Sequence, residues 1–325
     1  MWPIRASGAA LVVLSSAPAQ AFVCSRVQDA EFRETGPSLS WFSRNLTYAV
    51  HASGTSHLPA DSELSVINQA FDVWEDALSC GGACRTDVAF NPLPARPTHD
   101  LIGFNFLAPE DNENLLIFRD SDWPHTNLIN VIALTTTSYS PQSGEIFDAD
   151  VEFNSQQFQF ADLQSCCPDC DGNTQTDAAC QFTDLMNTAV HEIGHMLGLG
   201  HTNIPQATMA ASAQEGETLK RDLDPDDLVG VLFKYPDAEP NDYCDKPACA
   251  TGVGQCGACN LLACQSGESC GFCPPPDPLT ATLTVTTLDS DDGMGGCGCA
   301  HAPEGLWGSL LGLVALRVRR RYFGR

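Results

Sequence analysis

The chain has 325 residues, with 16 Lys and Arg against 41 Asp and Glu and a formal net charge of −25. That length exceeds one average domain and leaves room for a sizeable core plus smaller appendages. Residues 22–305 hold ten of the basic and all of the acidic residues, so this body repels nucleic acid and anionic lipid surfaces and neither is expected as its partner.

Residues 1–21 contain Arg5, an apolar stretch from Ala9 to Leu14 and the triplet Ala19-Gln20-Ala21, the three parts of a secretory signal peptide. An uncleaved anchor is the alternative, and Val23 before Cys24 does not suit a lipoprotein signal. Export places the 16 cysteines in an oxidising compartment, where disulfides are expected. Leu46 to His51 reads as a strand. Asp61 is placed to cap a helix whose apolar stripe is Leu64, Ile67, Phe71, Trp74 and Leu78, a core-facing pattern rather than a binding platform. Cys80 and Cys84 are spaced to close a small loop after it. Leu101–Phe106, Leu115–Phe118 and Asn130–Thr136 are further strand candidates. Val151 and Phe153 alternate with Asp150, Glu152 and Asn154, which suits a half-exposed strand at a sheet edge, open to an extended peptide.

An insertion then brings together Cys166, Cys167, Cys170 and Cys180. It also holds Asp169, Asp171, Asn173 and Asp177, whose hard oxygen ligands suit Ca2+ as a second ion, although the spacing is not an EF-hand loop. Thr183 or Asp184 caps the next helix, which carries His191-Glu192-Ile193-Gly194-His195. Histidines four apart share one helical face and reach one zinc ion, and Glu192 is placed to work on a water bound to that ion rather than to bind it. Gly198 and Gly200 break the helix and turn the chain, bringing His201 back as a third ligand. Three neutral imidazoles leave zinc an open position, the arrangement of a catalytic site, and Glu192 is the expected general base.

The motif HExxHxxGxxH, followed eight residues later by Met209 in Ala207-Thr208-Met209-Ala210, resembles the signature of the metzincin metalloproteases. Thr202 after the third histidine is closest to the matrixin branch. Trp41–Val50 is similar to the first strand of a matrixin catalytic domain, Asp61–Leu78 to its first long helix, Gly144–Asn154 to the edge strand before the zinc helix, and Arg221–Pro236 to its closing helix. The resemblance implies an α+β metzincin (zincin-like) domain with a twisted mixed sheet and a zinc-binding helix. It implies zinc on His191, His195 and His201, Met209 as the Met-turn beneath the metal, and protein or peptide substrates. The chain departs from matrixins in three ways: no PRCGxPD cysteine switch precedes the domain, no Pro-x-Tyr follows Met209, and the histidines of a structural zinc site are missing.

Past Pro236 the composition turns to Pro, Cys and Gly. Seven cysteines (Cys244, Cys249, Cys256, Cys259, Cys264, Cys270 and Cys273) suit a small disulfide-rich module, with Cys24 as an eighth partner; the CxxC pairs Cys256/Cys259 and Cys270/Cys273 also fit a zinc ribbon. Residues 275–295 read as an extended linker. The end combines Cys297 and Cys299, an apolar run from Leu306 to Leu316, shorter than the ~20 residues of a stable span, and Arg317, Arg319, Arg320 and Arg321. That order resembles the C-terminal sorting signal of myxobacterial surface proteins, with a plain membrane anchor as the alternative. The expected organisation is a signal peptide (1–21), a metalloprotease domain (22–238), a Cys-rich module (239–274), the linker (275–295) and a sorting or membrane segment (296–325). The expected function is an exported, surface-attached or extracellular zinc endopeptidase; a non-catalytic adhesin with a vestigial zinc domain is the alternative.

Overall fold

The computed structural model describes residues 22–59, 61–77, 86–166 and 181–236, and the backbone alone at 312–313 and 317–318. The first half of the chain alternates short strands with one long helix: β1 (Val23–Cys24), β2 (Arg26–Gln28), β3 (Glu34–Ser38), β4 (Asn45–Val50), α1 (Ser62–Glu75), β5 (Ala89–Pro92), β6 (Asn114–Phe118), β7 (Ala133–Tyr139) and β8 (Ile146–Phe153). The second half holds β9 (Phe160–Ala161), α2 (Leu163–Cys166), β10 (Thr183–Asp184), α3 (Leu185–Met196), β11 (Leu199–Gly200), β12 (Ser212–Ala213) and α4 (Pro225–Lys234). The backbone stretches β13 (Gly312–Leu313) and β14 (Arg317–Val318) complete it.

The main sheet runs β14-β7-β8-β6-β4-β5; β5, β4, β6 and β8 run parallel to one another, β7 is antiparallel to β8, and β14 is parallel to β7. Both faces are covered. On one, Ile67, Phe71 and Trp74 of α1, Ala189, Val190 and Ile193 of α3 and Val231 and Leu232 of α4 bury Tyr48, Leu116, Val151 and Phe153 in a single core. On the other, Ala49, Leu115 and Ile117 lie under Leu93 and Ile102, while Leu134 packs with Trp123 and Val131. Loops of the second face therefore stand where helices cover the first, as a largely parallel sheet requires.

That two-sided cover corrects the expectation for residues 144–154. The strand β8 is central, paired on both sides, and Asp148, Asp150 and Glu152 are buried rather than exposed. Asp150 and Glu152 are met by partners the alternation did not reveal, while Asp148 Oδ2 is buried without one. Asp150 accepts from the backbone N–H of Gly103 (2.5 Å) and Leu115 (2.9 Å), and Glu152 is held by Arg119 and His125 (2.9 and 2.7 Å). At the opposite side of β8, β7 pairs outward, among the described residues, only with the two residues of β14. Leu101–Phe106 is a loop instead of a strand. Gly103 takes φ +83°, and the N–H groups of Gly103 and Phe104 go to the Asp150 and Ser138 side chains instead of a ladder.

The expected helix forms at Ser62–Glu75, with Ile67, Phe71 and Trp74 buried. Asp61 does not cap it: at φ 62° its carboxylate bonds Arg96 Nη1 at 2.6 Å instead. Asp184, rather than Thr183, caps α3 by accepting from Asn187 N. Leu78, the Cys80–Cys84 loop, the calcium candidates Asp169, Asp171, Asn173 and Asp177, the Cys-rich module with its expected link to Cys24, the signal peptide and the linker lie outside the described residues. Among the described residues, no helix is long and apolar enough to cross a membrane.

Candidate active site

The site is built on the last two turns of α3, where the fold fixes every backbone group that could drift. Trp74 donates its indole N–H to Val190 O (2.8 Å), inside the helix and one residue before His191. At the C-terminus, where helix carbonyls lose their partners, Trp41 Nε1–H donates to Met196 O (2.8 Å) and the Tyr235 hydroxyl to Leu197 O (2.7 Å). The chain then turns at Gly198 with φ +79°, where a Cβ would collide with the carbonyl oxygen of Leu39. Only glycine fits that combination. Gly200, expected to share the break, instead pairs with Val23 in the β1–β11 ladder, and this strand props the segment leading to His201.

His191, His195 and His201 converge, with one ligand atom from each lying within 4.8 Å of the others. Among the described residues they form the one cluster of three or more His, Cys, Asp or Glu side chains able to share an ion. The Nδ1 of His191 bonds Thr208 O (2.6 Å) and that of His195 bonds Leu199 O (2.8 Å). A carbonyl can only accept, so each Nδ1 carries the proton and each Nε2 presents a lone pair inward. His191 Nε2 is buried without a partner, while the Nε2 atoms of His195 and His201 stand 3.1 Å apart. An orphaned imidazole nitrogen beside two facing ring nitrogens is the arrangement a divalent ion satisfies, with second bonds fixing the His191 and His195 rings. Burial, then the neighbouring imidazoles, holds His191 well below its ordinary range; burial and His201 push His195 down to about 3, and burial lowers His201. All three are in the neutral form that binds metal.

Glu192 follows His191 in the same helix. It is fully buried, and burial pushes its carboxyl up to about 8 against the bonds from Thr135. The Thr135 hydroxyl donates to Oε2 at 2.6 Å, and Oε1 is buried with no partner.

Beneath the imidazoles runs 207–210. Met209 is buried against Gly194, whose missing Cβ makes room for its sulfur. The turn is pinned from both sides: Met209 O accepts from Thr202 N (3.0 Å), and the carboxylate of Asp227 accepts from Thr208 N (2.6 Å) and Met209 N (3.0 Å). Asp227 also completes the capping box of α4 with Asp224, so one buried carboxylate ties the turn to the closing helix.

The structure thus clusters His191, His195 and His201, sets Glu192 next to His191 on α3 and packs Met209 against Gly194 of the same helix. Sequence reasoning missed the supports, namely Thr135, Trp41, Trp74, Tyr235 and Asp227. The spacing Asp224-x-x-Asp227 is a cap signal that pointed to Asp227's position, though not to its hold on Met209. Nothing local marks the others, because each acts across at least 38 residues of sequence.

Comparisons with known proteins converge on the same region. Over 201 residues, 61% of this chain, the sequence is 30% identical to Metalloendoproteinase 2-MMP of Arabidopsis thaliana, covering 42% of that protein. It is 27% identical over 203 residues to Matrix metalloproteinase-16 of Homo sapiens, 62% of this chain and 28% of the relative. Matrix metalloproteinase-C of Caenorhabditis elegans is 27% identical over 217 residues, 64% of this chain and 31% of the relative. The chain thus spans less than half the length of these relatives. Residues 40–235, from the strand that opens the sheet to the helix that closes the site, match the family described as Matrixin, and the chain belongs to that family.

Proposed function

We propose that this protein is an exported zinc endopeptidase in which Nε2 of His191, His195 and His201 hold the metal and Glu192 is the general base. The observation that carries the reading is the convergence of three neutral imidazoles, two of them with Nδ1 tied to a backbone carbonyl, beside a buried carboxylate with one free oxygen. Zinc bound there supplies a Lewis acid that polarises the scissile carbonyl and acidifies water. The residues do the rest. Thr208 and Leu199 carbonyls fix the ring tautomers, so the nitrogens need no reorganisation. Glu192 takes a proton from the attacking water and delivers it to the departing amide nitrogen as the C–N bond breaks. The water oxygen stays on the new carboxyl group, and no acyl-enzyme forms. Met209 floors the site by packing.

An extended substrate adds to the outer edge of β7, whose capacity for a further strand is illustrated by the backbone pairing of Arg317–Val318 with Thr136–Thr137. The signal-peptide pattern of residues 1–21 supports export, and the Gly-Cys, apolar, poly-Arg order of residues 296–325 supports attachment to the cell envelope. Digestion of a peptide library by the secreted protein tests the proposal. Cleavage should stop with a zinc chelator, return with zinc, and fall by about 10²–10⁴-fold in Glu192→Ala, the usual size of general-base catalysis. Cleavage indifferent to the chelator, or undiminished in Glu192→Ala, refutes it.

A further inference from the structure

The two oxygens of Glu192 are in different situations, and one side chain makes the difference. Thr135 Oγ1 lies 2.6 Å from Oε2 and 3.2 Å from the Glu192 carbonyl oxygen, so both acceptors for its one hydroxyl hydrogen belong to the same residue, 57 positions away, with Oε2 the nearer. Oε1 has none. Thr135 is completely buried in the middle of β7, where pairing with Val151 fixes its backbone and Ala133, two residues earlier on the same face, sits in the core shared with α3. Valine would fill the same volume, suit the strand equally well and bury no polar atom. A hydroxyl at this place therefore has its explanation in the carboxylate it meets.

We infer that Thr135 is a positioning residue for Glu192, an inference that rests on the endopeptidase reading above. Its stiff β-branched χ1 aims the hydroxyl before substrate arrives, and the charge-assisted bond clamps Oε2. The carboxylate cannot swing away, and its free lone pairs are those of Oε1. Because Oε2 already accepts a hydrogen, the proton leaving the attacking water goes to Oε1. The Oε1–H bond then breaks as the proton passes to the leaving nitrogen, which restores the starting carboxylate.

Thr135→Val and Thr135→Ser, compared on one peptide substrate, test this. In Thr135→Val kcat should fall about 10- to 100-fold, the scale of a misplaced catalytic group, with KM and zinc content close to wild type. Thr135→Ser, which keeps the hydroxyl, should restore kcat to within about 5-fold of wild type. A crystal structure of Thr135→Val should show the Glu192 carboxylate in a new or mixed rotamer, a readout independent of turnover. Wild-type kcat in Thr135→Val, a loss confined to KM, equal loss in Thr135→Ser, or an unmoved carboxylate overturns the inference. Inactive wild-type protein instead removes the reading beneath it.

Discussion

Alanine at Gly194 sets helix propensity against packing. In an open helix the change would stabilise by about 1 kcal/mol, because glycine is the poorest ordinary helix former. Here the added methyl would lie well inside contact distance of Met209 Sδ, 2.9 Å from Trp74 Cζ2 and 3.1 Å from Met209 Cε. Trp74 cannot retreat, being fully buried and pinned through its indole N–H to Val190. The Met209 thioether must give way, yet its backbone is held by Thr202 and Asp227. Overpacking of a fixed core costs about 1–3 kcal/mol, which outweighs the propensity gain. The expected net loss, up to about 2 kcal/mol, corresponds to a fall of up to about 8 °C in Tm for a domain of this size. Metal retention against a chelator should weaken as well, because the floor under the imidazoles moves. Thermal unfolding of the metal-free and zinc-loaded proteins measures both. A rise in Tm with unchanged zinc retention would refute the packing argument and leave helix propensity in charge.

Three further outcomes are expected. Asp227→Asn offers one acceptor oxygen where the carboxylate serves Thr208, Met209 and Asp224, and it turns an NH2 toward at least one of those donors. It should lose about 1–3 kcal/mol in urea unfolding, and unchanged stability would remove Asp227 from the account. Burial pushes Asp148 up to about 7, so above pH 4 the unfolded chain loses this proton while the folded chain keeps it. Its contribution to stability should therefore decline from about pH 4 to 7; Asp148→Asn should flatten that slope, and an identical pH dependence in the variant contradicts the assignment. His201→Ala should weaken zinc binding roughly 100-fold or more with an unaltered far-UV circular dichroism spectrum, whereas unchanged affinity would remove His201 from the ligand set.

The parts of this molecule legible in the sequence are those governed by short-range spacing. Histidines four apart, a glycine where the helix must reverse and the 3.6-residue stripe of Ile67, Phe71 and Trp74 are local rules, and the structure follows them. What alternation could not convey is how many faces of a strand are covered. Asp148, Asp150 and Glu152 look like a solvent-facing row, yet loops 93–112 and 119–131 close over them; Gly103 and the β6 residue Leu115 donate to Asp150, and Arg119 and His125 hold Glu152. Leu101–Phe106 misleads for the same reason, its apolar residues serving that cover. The supports of the zinc helix were hidden because a tryptophan that bonds a helix carbonyl looks, in sequence, like any core tryptophan.

Metal analysis of the purified protein, combined with anomalous diffraction at the zinc edge, tests the central claim most directly. The account predicts one zinc ion per catalytic domain, about 2.0–2.1 Å from Nε2 of His191, His195 and His201. A protein purified without a chelator that holds no zinc, or whose zinc is ligated elsewhere, would contradict it.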